Sequence, residues 1–298
     1  MGWGRLRSRP NFRTPLLMRT LSELQADWEA GRLDEAGFVA QAHALHRLLA
    51  GLVPPLVKSE VHQILIDGEG LRFVMGDEAV ALWCPAEDPR AAPLEALNFG
   101  AYQPDESRVI NRLSEGARCA VDVGAGLGYH ALRLAQREGL AIVHAFEPHA
   151  ARFELLWRNL ALNALVERVR CHNLALTAHP AHTAHTAQAG PCQTLDAWAR
   201  TGAWQPEYIR CGAPQALAVF QGAQELLGEQ RPRVFTRLDG PELQAWFAAL
   251  GYACWALGEY GPRRLEAGAS CGSSRFGAFL HPLAHAELIE ALEAEEAQ

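Results

Sequence analysis

Between Val121 and His130 the chain reads VDVGAGLGYH, a carboxylate followed by three glycines at alternate positions, Asp122-x-Gly124-x-Gly126-x-Gly128. Glycine has no Cβ, so such a turn brings the main chain and its N–H groups close to a ligand where a strand runs into a helix. Turns that hold a dinucleotide pyrophosphate commonly lack the acid, because a carboxylate there repels an anionic ligand. Asp122 instead suits a ligand with a cationic end. The next apolar run, AIVHAFEP, ends in Glu147, 23 positions beyond Gly124. That is near the offset of about 20 residues at which a carboxylate takes both hydroxyls of a ribose. Ribose at one end and positive charge at the other describe S-adenosylmethionine. A third run, CHNLAL, should offer Asn173 to the adenine edge, with Leu174 and Ala175 as apolar neighbours. The expected cofactor set is therefore Asp122, Gly124, Ala125, Gly126, Gly128 and Tyr129 on the turn, Glu147 and Pro148 on the second strand, and Asn173 and Leu174 on the third.

Positioning these residues requires strands that alternate with helices. CAVDVG, AIVHAFE, VRCHNLAL, EYIRC, RVFTRL and YACWAL read as strands, with helices starting near Leu127, His149, Thr194, Gln215 and Pro241. FGAFLH, from Phe276, should add a last, antiparallel strand, and AELIEALEAEEAQ an acidic terminal helix. This alternation implies an α/β fold, a mostly parallel seven-stranded sheet with helices on both faces. Ahead of it, residues 20–52 read as two helices, capped at Thr20 or Ser22, broken at Gly31 and ended by Pro54-Pro55. VHQILIDGEGLRFVMGDEAVALWC reads as a hairpin about Asp67-Gly68-Glu69-Gly70 plus a third strand. The expected organisation is an N-terminal helical and β-hairpin extension over 1–98 and the α/β domain over 99–298.

At 298 residues the chain can bury a sizeable core, and 49% hydrophobic with 20% charged residues is ordinary for a globular protein. A net charge of −7 argues against a nucleic-acid partner, and the four arginines of GRLRSRPNFR read as a solvated terminus. Seven scattered cysteines without a CxxC pair fit reduced thiols in the cytoplasm. No apolar run reaches the length of about 20 residues that a membrane span needs. A small-molecule substrate is expected, with a protein partner or a homo-oligomer left open.

From Phe99 to Leu257 the chain resembles the FkbM-type methyltransferases, Rossmann-like enzymes that use S-adenosylmethionine to O-methylate hydroxyls of natural products and sugars. FGAYQPDESRVINRL looks like the opening segment of that family, and VDVGAGLGYHALRLA resembles its DxGAxxG turn and helix, with Gly126 where many members have Asn. AFEPHAARFELLWRNLALN is similar to its acidic strand end, NLAL to its third-strand motif and TLDAWA to the segment that follows. The resemblance implies a Rossmann-like methyltransferase fold, S-adenosylmethionine as cofactor, and an acidic motif at the end of the fourth strand.

That motif is missing. Counting back from LAVFQGA, its acidic positions fall on Cys211, Ala213 and Ala216, its glycine on Pro214, and no carboxylate occurs from Tyr208 to Gln224. At the end of the fifth strand, Arg237 stands where the family has Glu, with Asp239 two residues on. Methylating an alcohol needs a base within hydrogen-bond reach of the attacking oxygen. Three readings follow. In the first, the chain is a methyltransferase whose base is His130, His144, His172 or Tyr102, or whose acidic substrate is held by Arg210 or Arg237. In the second it is catalytically degenerate and serves as a binding or scaffold partner, with Arg210 pairing an acid. In the third, His179, His182 and His185 bind a metal, but Pro180 and the Thr, Ala and Gly around them favour a loop, and no metal is expected. Cys211 beside Arg210 also raises a thiolate nucleophile, against the simpler reading of a buried thiol.

Overall fold

Thr20 opens α1 (Leu21–Glu29) with a reciprocal cap: its hydroxyl accepts from the Glu23 N–H, and the Glu23 carboxylate accepts from the Thr20 N–H at 2.6 Å. Asp34 caps α2 (Glu35–Gly51) with a one-way bond, its carboxylate accepting from the Gly37 N–H at 2.7 Å. The pair of prolines does not end α2. Pro54 and Pro55 lie in the first turn of α3 (Val53–Val57), where a missing N–H costs no helical bond. The chain divides into two compact units, Met1–Pro55 and Leu56–Gln298. The computed structural model describes residues 19–84, 88–179, 191–238, 240–258, 261–266 and 275–296.

The second unit opens with the expected hairpin and third strand, β1 (Val61–Asp67), β2 (Gly70–Met75) and β3 (Val80–Trp83), an antiparallel sheet. Then come α4 (Ala92–Phe99) and α5 (Pro104–Leu113), β4 (Cys119–Val123), α6 (Tyr129–Gln136), β5 (Ile142–Phe146), α7 (Ala150–Leu162) and β6 (Val169–His172). There follow β7 (Ala175–Leu176), β8 (Cys192–Gln193), α8 (Leu195–Gly202), β9 (Tyr208–Cys211), α9 (Ala216–Gln221), α10 (Gln224–Glu229), β10 (Arg233–Arg237) and α11 (Pro241–Ala249). The chain closes with β11 (Ala253–Gly258), β12 (Gly261–Leu265), β13 (Phe276–Leu280) and α12 (Pro282–Glu296), which kinks at His285.

Strand order in the large sheet is β12-β11-β13-β10-β9-β4-β5-β6. Its five strands from β10 to β6 are mutually parallel, and β13, β11 and β12 are antiparallel additions. The architecture is the Rossmann-like α/β fold the sequence leads one to expect, with eight strands instead of seven. GPRRL forms the eighth as an edge strand, the position in a sheet that tolerates a proline. The VRCHNLAL run also splits. After His172 the chain leaves the ladder, and Ala175–Leu176 pairs instead with Cys192–Gln193.

Alternate strand residues feed two cores, one on each face. Ala120, Ala145, Tyr208 and Phe235 join α6, α7 and the inner side of β1–β3. Val121, Val123, Phe146, Ile209 and Val234 join α8, α9, α10 and α11. The three-stranded sheet is tied to this architecture by two amides of α7 and its C-terminus: Asn159 and Asn163 accept from the Trp83 and Ala81 N–H groups at 2.7 and 2.9 Å. Among the described residues no helix is long and apolar enough to cross a membrane.

Candidate functional site

Because β4 pairs with β9 on one side and β5 on the other, successive connections leave it in opposite directions. Ligands of open α/β sheets bind in the crevice that this divergence opens at the strands' carboxyl ends. A cavity of about 400 Å³ lies there. Gly124, Gly126, Glu147, Pro148 and Leu174 line it, all expected from sequence, together with Phe146, His149, Leu176 and the β9–α9 connection from Gly212 to Gln215. Apolar walls with a carboxylate at one end match the faces of a nucleoside.

Glu147 is buried, and its two oxygens accept one main-chain N–H each, from Gly126 and from His149, both at 2.9 Å. An ionised carboxylate has about four acceptor sites, so each oxygen retains capacity for a hydroxyl. The glycine turn itself differs from expectation. Its N–H groups at Gly124 and Ala125 are bonded to the Phe146 carbonyl, at 2.9 and 3.0 Å, and that at Gly126 to Glu147. The turn folds onto the end of β5, so its glycines supply close approach of main chain, while their donors serve the protein. Gly124 has φ +75°, and a Cβ there would lie 2.9 Å from the Ala213 nitrogen. Gly128 has φ +93°, and a Cβ would collide with the Leu156 side chain of α7. Gly124→Ala should therefore lower stability by about 2 kcal/mol, left-handed strain and a main-chain clash adding together. Urea denaturation checks this; a loss under about 0.5 kcal/mol would contradict the close approach.

The other cofactor residues scatter. Ala125 is buried inside the turn. Asn173 donates to the Glu147 and Pro148 carbonyls at 3.0 and 3.2 Å, bracing the strand end. Tyr129 faces the three-stranded sheet, its hydroxyl against Gly76 and its ring edge-on to Tyr102.

Asp122 is fully buried and already has a cation. Its in-register neighbour on β9, Arg210, donates from Nη1 to Asp122 Oδ1 at 2.8 Å and reaches Glu106 Oε2 of α5 from Nη2 at 3.5 Å. Arg210 is thus the fulcrum of a buried cluster that also holds Tyr102 and His130. Burial pushes the Glu106 carboxyl up to about 7, with Arg210 opposing the shift. Burial drives His130 well below its ordinary value, and Arg210 and Arg133 add to the effect. His130 lies 2.9 Å through Nε2 from Gln103 Oε1, and its Nδ1 is buried without a partner among the described residues. Gln103 is held at φ +47°, in the left-handed region, at the N-terminus of α5. Tyr102 is raised to about 12, mainly by burial. Arg237, at the exposed end of β10, lies close enough for its charge to act on Glu106.

His144 and His172 do not join this cluster. Their rings stack, with Nδ1 of His144 3.1 Å from Nε2 of His172, on the face covered by Trp198 and Trp204. Burial lowers them to about 3 and about 4. Cys211 is no thiolate, because burial lifts its thiol to about 11 despite Arg210 beside it. His182, His185 and Asp239 lie outside the described residues, while His179 is exposed. Glu106 is the residue sequence reading missed. Its signal is faint, an acid in the PDES opening of a helix that the hydrophobic pattern does not announce.

No family model matches the sequence, and no curated protein matches it. Among solved structures, the chain is similar to the methyltransferase FkbM from Methylobacillus flagellatus KT, with 16% identity and TM-score 0.43 over 66% of this chain. The chain spans 56% of that protein. It is similar also to a SAM-dependent O-methyltransferase from Thermotoga maritima, with 13% identity and TM-score 0.39 over 74% of this chain and 77% of that one. An O-methyltransferase from Bacillus cereus in complex with SAH gives 15% identity and TM-score 0.39 over 60% of this chain and 81% of that one.

Proposed function

We propose that the cavity binds S-adenosylmethionine, with its ribose on Glu147 and its adenine between Leu174, Leu176 and Phe146, and that the chain transfers the methyl group to an oxygen of a small molecule or sugar, as FkbM-type enzymes do. The observation that carries this reading is Glu147, a buried carboxylate at the end of β5 that opens onto the cavity at the divergence of β4. When bound, the cofactor supplies an electrophilic methyl group. The chain's own part is to exclude water, orient the acceptor and take its proton. His130 and Glu106 belong to the buried cluster behind the cavity wall and do not line the cavity itself.

A second reading has a specific observation in its favour. Arg210 already neutralises Asp122, the acid that would face a cationic aminoacyl end, and β9 brings no carboxylate of its own. A chain with that arrangement could hold the cofactor and use it only as a binding or scaffold partner. Incubation with methyl-labelled S-adenosylmethionine and a panel of sugars, catechols and hydroxy acids separates the two. The methyltransferase reading expects label in at least one acceptor with equimolar S-adenosylhomocysteine; bound cofactor without label in any acceptor favours the second.

A further inference from the structure

The cavity and the buried ionic cluster share a wall. Gly212 lines the cavity, and a Cβ on it would lie 2.9 Å from Nη1 of Arg210, so the guanidinium lies directly behind that main chain. Gly124 lines the same end and follows Asp122 by two residues. A nucleoside whose ribose sits on Glu147 at β5 therefore extends its remaining substituent across Gly124 toward β9 and the cluster. Its buried charged groups are Asp122, Glu106 and Arg210, and Arg237 at the exposed end of β10 also acts on Glu106, so ionising Glu106 makes a cluster shielded from water more negative by one charge. Fields from such groups are felt strongly across low-dielectric protein.

We propose that Glu106, acting with Asp122 and Arg210, is a charge selector that makes the cavity prefer the cationic sulfonium of S-adenosylmethionine to the neutral thioether of S-adenosylhomocysteine. This rests on the proposed cofactor. It gives the missing acids of β9 a substitute from another element: the negative charge comes from α5, is delivered past Arg210, and favours the reactant over the product. The groups facing Glu106 are Arg210 and Tyr208 on β9, Asp122 on β4, Arg237 on β10, and Tyr102 just ahead of α5. Burial raises both tyrosines, so they remain neutral near pH 7; Asp122 and Glu106 outweigh burial and keep Arg210 charged, and His130, packed near Arg210, is held neutral. Glu106 is then the member of the cluster whose charge changes near neutrality, ionised above about 7 and neutral below it.

Calorimetry of the full chain with S-adenosylmethionine and with S-adenosylhomocysteine, at pH 6 and pH 8, tests this. The sulfonium makes the α-amino group of S-adenosylmethionine more acidic than that of S-adenosylhomocysteine, so the ratio of their dissociation constants is read against the same ratio in Glu106→Gln, which shares that contribution. Any other titrating group in the cavity moves the wild-type chain and Glu106→Gln alike. The expected result is a ratio that rises in favour of S-adenosylmethionine from pH 6 to pH 8 at least about fivefold more in the wild-type chain than in Glu106→Gln. A second neutral variant, Glu106→Met, takes the place of Glu106→Gln if the latter fails to fold, with the same result expected. A ratio that changes equally in the wild-type chain and in the neutral variant would overturn the charge selector and leave the cofactor assignment standing. Failure of both ligands to bind at millimolar concentration would overturn the two together.

Discussion

Arg210→Met should lower the free energy of unfolding by about 3–5 kcal/mol at neutral pH, the loss expected when one partner of a buried ion pair is removed and the other is left behind. Asp122 is fully buried, and among the described residues the hydrogen bond to its carboxylate comes from Arg210 and its Oδ2 has no partner. Methionine fills a similar length with a flexible apolar chain, so the loss reports on charge more than on packing. Arg210→Lys should fall between, because a single ammonium cannot reproduce the fork that reaches Asp122 and Glu106 at once. Urea denaturation followed by circular dichroism measures both. A loss below about 1 kcal/mol for the methionine variant would show that Asp122 finds another partner and that Arg210 does not hold this wall.

Glu147→Ala should weaken S-adenosylmethionine and S-adenosylhomocysteine alike by about 100-fold or more. Hydrogen bonds to a charged group are worth about 1.5–3 kcal/mol each, and a ribose diol makes two of them. The same change releases the Gly126 and His149 N–H groups, both of which belong to the cavity lining, so the loss includes a loosened turn. Glu147→Gln keeps the shape and removes the charge, and should lose less, about tenfold. Because the ribose is common to the two ligands, their ratio should not change. A variant that binds both at wild-type strength would remove the ribose from Glu147.

What the sequence made legible follows the range of the interactions involved. The parallel strands and their order of appearance came from alternation of apolar runs with helical periods, which is local. Glu147 came from spacing within one strand–helix–strand unit, also local. The glycine turn was recognised, but the role of its N–H groups was not, because the Phe146 carbonyl that binds two of them belongs to the next strand. Asn173 reads in the sequence as an adenine contact, and the structure adds that its amide nitrogen braces the main chain of Glu147 and Pro148, which depends on where the chain leaves β6. The ionic cluster was least legible. Arg210 follows Asp122 by 88 residues and Glu106 by 104, and strand pairing across β4 and β9 brings them together. An arginine on a predicted central strand next to a strand bearing a buried acid is the one sign that could have suggested the pair. His144 and His172 read in the sequence as candidate bases because imidazole titrates near neutrality; burial beneath Trp198 and Trp204, with the Arg170 charge adding to it, takes them below that range.

The central claim is that this cavity is a cradle for an S-adenosyl nucleoside. A crystal structure of the chain with S-adenosylhomocysteine measures it most directly. The expected result is the nucleoside in the cavity, both ribose hydroxyls about 2.6–3.0 Å from the Glu147 carboxylate, and the amino-acid end directed across Gly124 toward Gly212 and Arg210. A ligand bound elsewhere, or a ribose turned away from Glu147, would contradict it.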